Sequence, residues 1–267
     1  MSTQRHGLGK LGVLGTIGTL GTLAFALLSP AHAQAQAQGQ SPEGQLYTPG
    51  TFDRLELSGS ANVKLTQGDR DQVFIAGGPD VQKSVEVELN NERLRIRPNG
   101  SWKFWSNAKL QIDVMMRKIS HLGLSGAGDL RAPGLVKGDK LSVNISGAGL
   151  VRLDDLNIQQ LQFMVSGAGD GQLRGQVNDL LLQVSGKGKL LAENLHANRA
   201  SVVISGIGGA NVWVSDELRV HVSGIGSVDY WGLPTVTRSS AGIATITPHG
   251  DKPWPPNSPN SPASPAN

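Results

Sequence analysis

The chain has 267 residues, with 24 basic against 21 acidic side chains and no cysteine. That length supports a sizeable core, and the lack of cysteine excludes disulfides and thiolate metal sites. The first 33 residues hold two basic groups and no acid, so the remainder carries 22 basic against 21 acidic residues and gives no argument for nucleic acid or anionic lipid as a partner.

Residues 1–33 read as a secretory signal peptide of bacterial style. Arg5 and Lys10 precede an apolar run from Leu11 to Leu28, and Ala31-His32-Ala33 fits an A-x-A cleavage site. The run is short for a stable span, so a retained anchor is the lesser expectation, and no membrane span is expected after processing. The implied location is exported: periplasm, cell surface or extracellular. Residues 34–44, rich in alternating Ala and Gln, read as a low-complexity spacer.

A folded domain is expected over 45–247. Its first copy of a recurring unit is Leu55 to Leu65, which alternates apolar and polar residues around Ser58-Gly59-Ser60-Ala61. Residues 66–118 carry further strand-like runs (Val73–Ile75, Val85–Leu89, Leu94–Arg97, Leu110–Met115) and are expected to be inserted strands or a cap. Ser-Gly-x-Gly then recurs at Ser125, Ser146, Ser166, Ser185, Ser205 and Ser223, with spacings of 21, 20, 19, 20 and 18 residues. A degenerate last coil begins near Ser239, with Ala244 and Ile246 inward. Residues 248–267 hold seven prolines among Asn and Ser and read as an extended, disordered tail.

Before each motif the residues alternate strictly. Leu141, Val143 and Ile145 share one face, as do Leu161, Phe163 and Val165, and Leu180, Leu182 and Val184. The alternation resumes after the second Gly, with Leu130 and Ala132, Val151 and Leu153, and Ala210 and Val212 inward. Period-two alternation marks strands with one buried face, and no sustained 3.6-residue pattern calls for helices. The fold class is therefore all-β. It is a single-stranded parallel β-helix (β-solenoid) of about 20 residues per coil, right-handed by the crossover rule, with Ser-Gly-x-Gly corners. Glycine is expected at those corners because it accepts positive φ and lets backbones stack closely.

Phe52-Asp53-Arg54-Leu55-Glu56-Leu57-Ser58-Gly59, followed by Ser125-Gly126-Ala127-Gly128-Asp129 and Ser166-Gly167-Ala168-Gly169-Asp170, resembles the head GIN domain family. That family is described as an autotransporter adhesin head and is otherwise of unknown function. The resemblance covers roughly Phe52 to Ile246. It implies an adhesin-like role without an agreed active site, and the C-terminal segment lacks the alternating strands of a translocator barrel.

Three function classes follow. The first is a non-enzymatic exported solenoid that binds a glycan or a protein at the cell envelope. Its ligand-binding candidates are Trp102, Phe104 and Trp105, aromatic rings in a turn-rich segment on which sugars stack, or which cap the coil stack. The second is a polysaccharide lyase or glycoside hydrolase. Asp129 and Asp170 would be its acid and base, two coils apart at roughly 9.6 Å from twice the strand spacing. Leu150 intervenes between them, and aspartate is also a common turn residue. The third is a self-assembling envelope protein that uses the ends of the stack. The serine column is expected to hydrogen-bond along the ladder or to corner backbone groups, and His221 beside Ser223 lacks an orienting acid. The histidines lack metal-ligand spacing, and no glycine run fits a phosphate or dinucleotide loop, so no metal and no cofactor are expected.

Overall fold

The computed structural model describes residues 43–100 and 110–253. The expected signal 1–33 lies outside the described residues, as does all of the 34–44 spacer except its last two positions. β1 (Gly44–Tyr47) leads into β2 (Arg54–Leu57) and β3 (Ala61–Gln67), which flank the Ser58-Gly59 corner. Next come β4 (Gln72–Ala76), the short helix α1 (Pro79–Lys83), β5 (Val85–Asn90), β6 (Arg93–Pro98) and β7 (Leu110–Met116). The regular stack opens with β8 (His121–Leu124) and β9 (Ala127–Ile145). It continues through β10 (Ala148–Val165), β11 (Ala168–Val184), β12 (Lys187–Ile204) and β13 (Ile207–Val222). β14 (Ile225–Trp231), β15 (Thr235–Ser240) and β16 (Ile243–Pro248) finish it. All of these strands belong to one sheet, wound into a β-solenoid.

Successive coils pair in parallel, because each turn carries the chain past the previous one in the same direction. The register aligns Ala127, Ala148, Ala168, Lys187, Ile207, Ile225 and Ile243 in one corner column. Inward alternation follows the sequence closely. Leu141, Val143, Ile145, Phe163, Leu182, Val202 and Val220 are all buried, and so are Leu130, Leu153, Ala192 and Val212 beyond the corners. Each such Val, Leu or Ile contributes about 1.5–3 kcal/mol relative to exposure. Among the described residues no polar or charged residue is fully buried, so the interior is held by apolar packing and backbone pairing alone. Ala244 and Ile246 pack partly buried against the end of this core.

The corner glycines serve close stacking rather than positive φ. A Cβ on Gly147 would lie 2.0 Å from the Gly126 carbonyl oxygen, and on Gly167, 2.1 Å from that of Gly147. Gly186, Gly206, Gly224 and Gly242 repeat the contact at 2.0 Å. Of the glycines in these motifs only Gly59 has positive φ, at 88°. The expectation of a left-handed corner is therefore corrected and that of close stacking holds: each first Gly is required by the carbonyl of the coil beneath it.

Between Ser58 and Ser125 the chain leaves the stack and returns. β2 pairs in parallel with β8, and β3 with β9, so the coil of Ser58 lies directly on that of Ser125. On its other side β6 pairs with β2 and β7 with β3, forming one more coil. β5 on β6, β4 on β7 and β1 on β4 are antiparallel and run against the winding, so the stack stops there. The β5–β6 hairpin turns through Asn91 (φ 49°) and Glu92 (φ 60°), both left-handed as a two-residue type I′ turn requires. That turn aims the Glu92 carbonyl at the Asp53 and Arg54 amides, which donate to it at 3.0 and 3.2 Å.

Candidate ligand-binding surface

The half-coil before each Ser-Gly corner presents a broad outer face. In-register pairing turns its outward residues into columns. Ser58, Ser125, Ser146, Ser166 and Ser185 form one, and Glu56, Gly123, Asn144, Met164 and Gln183 the next. Ser58 and Ser125 share a hydroxyl hydrogen bond of 2.8 Å, and Ser125 donates to the Leu57 carbonyl at 3.2 Å. Ser146 donates to the Leu124 carbonyl at 3.4 Å, so hydroxyls serve both the ladder and the corner backbone.

Two troughs lie on this face. One, of about 440 Å³, runs along the serine column with His121, Asn144, Met164 and Gln183. The other, of about 360 Å³, is floored by Gln160, Gln162, Leu181 and Ser201 on neighbouring strands. Its wall carries the pairs Arg199–Asp179 and Arg219–Glu217, each at 2.7 Å. The Arg199 guanidinium, by its hydrogen bond and charge, holds the Asp179 carboxyl below the usual range. Burial pushes the His121 imidazole below its usual range; the Glu56 carboxylate opposes this, and Arg93 and Arg54 reinforce it.

Asp129 and Asp170 stand in one column beyond the corner, with Leu150 in register between them. Each carboxylate is engaged by the next coil. The Leu150 amide donates to Asp129 Oδ1 at 3.2 Å, and the Lys189 amide to Asp170 Oδ1 at 2.7 Å. Trp102, Phe104 and Trp105 lie outside the described residues, on the connection between β6 and β7. Among the described residues no group of three or more His, Asp or Glu is placed to hold a metal ion.

The register also builds a second cluster, at the far corner of the last coils. His196, Trp213 and Trp231 align in register there. The His196 and Trp213 rings meet edge to face at 4.9 Å, and His249 stacks on Trp231 at 4.5 Å. Lys252 lies over both indoles, its Nζ 5.4 and 5.6 Å from the ring centres. The available sequence signal was the 18-residue step from Trp213 to Trp231 and again to His249, which matches the local stride.

Residues 51–234 match the family described as "Putative auto-transporter adhesin, head GIN domain". The chain belongs to the head GIN domain family. Among solved structures this GIN domain is similar to a putative adhesin from Bacteroides fragilis, at 22% identity and a TM-score of 0.73 over 78% of this chain and 97% of that one. A putative adhesin from Parabacteroides merdae matches at 16% identity and a TM-score of 0.63, over 79% and 97% of the two chains. A putative lipid binding protein from Parabacteroides distasonis matches at 19% identity and a TM-score of 0.58, also over 79% and 97%. At these identities the likeness shows the shared fold alone. No curated relative matches the GIN chain. No described helix is long and apolar enough to cross a membrane.

Proposed function

We propose that this GIN domain is a non-enzymatic, exported binding module that holds an extended glycan at the cell envelope along the outer face of its serine ladder. The observation that carries the reading is the pair of adjoining troughs on one in-register face. There the serine hydroxyls repeat from coil to coil, about 4.8 Å apart, beside columns of mixed polar residues that include Asn144, Gln162, Gln183 and Arg199. A polymer with its own repeat meets a hydroxyl at each step and amides at Asn144, Gln162 and Gln183, and the half-buried Met164 and Leu181 offer apolar floor to sugar C–H faces. The adhesin description of the family supports the same class of role. Trp102, Phe104 and Trp105 are proposed as added stacking contacts.

The enzymatic alternative, with Asp129 and Asp170 as acid and base, is weaker because a backbone amide already occupies one oxygen of each carboxylate. The lipid ligand named for the Parabacteroides distasonis protein fits less well, since the ion-paired Arg199, Asp179, Arg219 and Glu217 line one trough and the serine hydroxyls the other.

The test incubates residues 34–267 with a panel of bacterial and host polysaccharides and scores retention and newly formed ends together. Saturable retention without new ends, reduced at least tenfold in Gln162→Ala/Gln183→Ala or in Trp102→Ala/Trp105→Ala, is the expected result. New ends lost in Asp170→Asn would replace the reading with catalysis. Silence in both channels would move it to a protein partner.

A further inference from the structure

The corner that carries the tryptophans is built around a break in the ladder. Ala192 pairs with Val212, but the next partner of Trp213 is His196, so Glu193, Asn194 and Leu195 have no counterpart on β13. Such a bulge frees a carbonyl from inter-strand pairing and re-aims nearby side chains. The freed Glu193 carbonyl accepts a hydrogen bond from Lys252 Nζ, and Asn194 Oδ1 accepts another at 3.1 Å. Trp213 and Trp231 supply two π faces within the roughly 6 Å over which a cation is attracted to an aromatic ring. Glu193 Oε2 is buried and has no hydrogen-bond partner.

These groups together complement a primary ammonium. Two of its three N–H donors go to the Glu193 carbonyl and Asn194, while the indole faces and the Glu193 carboxylate balance the charge. Burial pushes the Lys252 amine below its usual range, against the pull of Glu193, so the group has given up part of its hydration to sit there. The backbone beside it is held independently. His249 Nε2 meets Asp229 Oδ1 at 2.8 Å, His249 stacks on Trp231, and the Gly232 amide donates to the Gly250 carbonyl at 2.8 Å.

We propose that the Glu193–Leu195 bulge and the Trp213–Trp231 pair form a binding site for a primary ammonium group, filled in cis by Lys252 and open to an ammonium supplied in trans. The site takes the amine of an amino sugar or of a lysine side chain, and Lys252 is its built-in competitor. It lies away from the serine face and stands independently of the glycan reading.

The experiment titrates the full chain, wild type and Lys252→Ala, with n-butylammonium at constant ionic strength while following tryptophan fluorescence. Lys252→Ala is expected to saturate with at least tenfold higher apparent affinity than wild type, since a competitor docked about nine-tenths of the time raises the apparent Kd about tenfold. Adding Asn194→Ala or Trp231→Ala to Lys252→Ala, with folding checked by thermal melting, is expected to abolish saturation. Glucosamine and Nα-acetyllysine amide then separate the two sources, and N-acetylglucosamine, which has no ammonium, is expected to be inert. Three results would each overturn the proposal. They are no saturation in Lys252→Ala, equal affinity in wild type and Lys252→Ala, and saturation that persists without Asn194 and Trp231. Polysaccharide retention by the wild-type chain, measured separately, is unaffected by any of them.

Discussion

Replacing Gly186 by Ala tests why the repeat spells Ser-Gly at every coil. The added Cβ would lie 2.0 Å from the Gly167 carbonyl oxygen and 2.4 Å from that of Ser166. Both atoms are backbone, so no rotamer relieves the contact. A tolerable separation of about 3.2 Å needs the two coils to part by roughly 1 Å, against a strand spacing near 4.8 Å. The bonds that span this corner leave no such room: the Lys187 amide donates to Gly167 at 2.8 Å, and the Ser185 amide to Val165 at 2.8 Å. Losing two such bonds in a half-buried corner, at about 1–3 kcal/mol each, together with some packing beneath, gives an expected loss of about 3–6 kcal/mol. Gly134→Ala is the matched control. Nothing lies within 4 Å of its added Cβ and its φ is not positive, so it is expected to be neutral or to stabilise by up to about 1 kcal/mol. Urea unfolding followed by circular dichroism reads both. An unfolding free energy for Gly186→Ala within about 1 kcal/mol of wild type would refute the stacking argument.

Glu92 is held left-handed at the β5–β6 turn, where an L-residue is penalised by about 1–2 kcal/mol. Glu92→Gly is therefore expected to raise stability by about 0.5–1 kcal/mol in the same urea assay, after allowing for the greater freedom glycine gains when unfolded. Asp170→Ala is expected to lose about 1 kcal/mol by removing the acceptor for the Lys189 amide, while Asp170→Asn, which still accepts, is expected to stay within about 0.5 kcal/mol. Burial lowers the imidazole pKa of both His196 and His121. The unfolded chain then binds more protons than the folded one below about pH 6.5, so stability is expected to hold above that pH and fall as pH drops through the window down to the folded values. Melting temperature against pH checks this. The slope should flatten in a His196→Gln/His121→Gln double variant, and an unchanged slope would contradict the assignment.

The solenoid was legible because its information is local. A strand that buries one face must alternate, as Leu161-Gln162-Phe163-Met164-Val165 does, and a stacked coil must return at a fixed stride. The serine and Asp129–Asp170 columns followed from the same counting. Which of glycine's two properties the corners use did not, because a spacing in sequence cannot distinguish a left-handed turn from a carbonyl pressed against the next coil. That difference is set by the neighbour's backbone.

Which coils touch is a different kind of choice. Alternation in Arg54–Leu57 says which side is inward and nothing about which edge partner it takes. Its placement between β6 and β8, across the 67 residues separating Ser58 from Ser125, is settled by the need to pair both strand edges and cover the end of the core. The same holds for the far corner. His196, Trp213, Trp231, His249 and Lys252 lie in four successive turns and share no short motif. Only the register, shifted by the three-residue bulge at Glu193–Leu195, brings the amine over the two indoles. Sequence alone therefore determined the repeating coil and its inward face, since side-chain alternation and stride are properties of a single turn. The tertiary structure decided the order of the first coils, the purpose of the glycines and the ammonium corner, since each depends on contacts between turns.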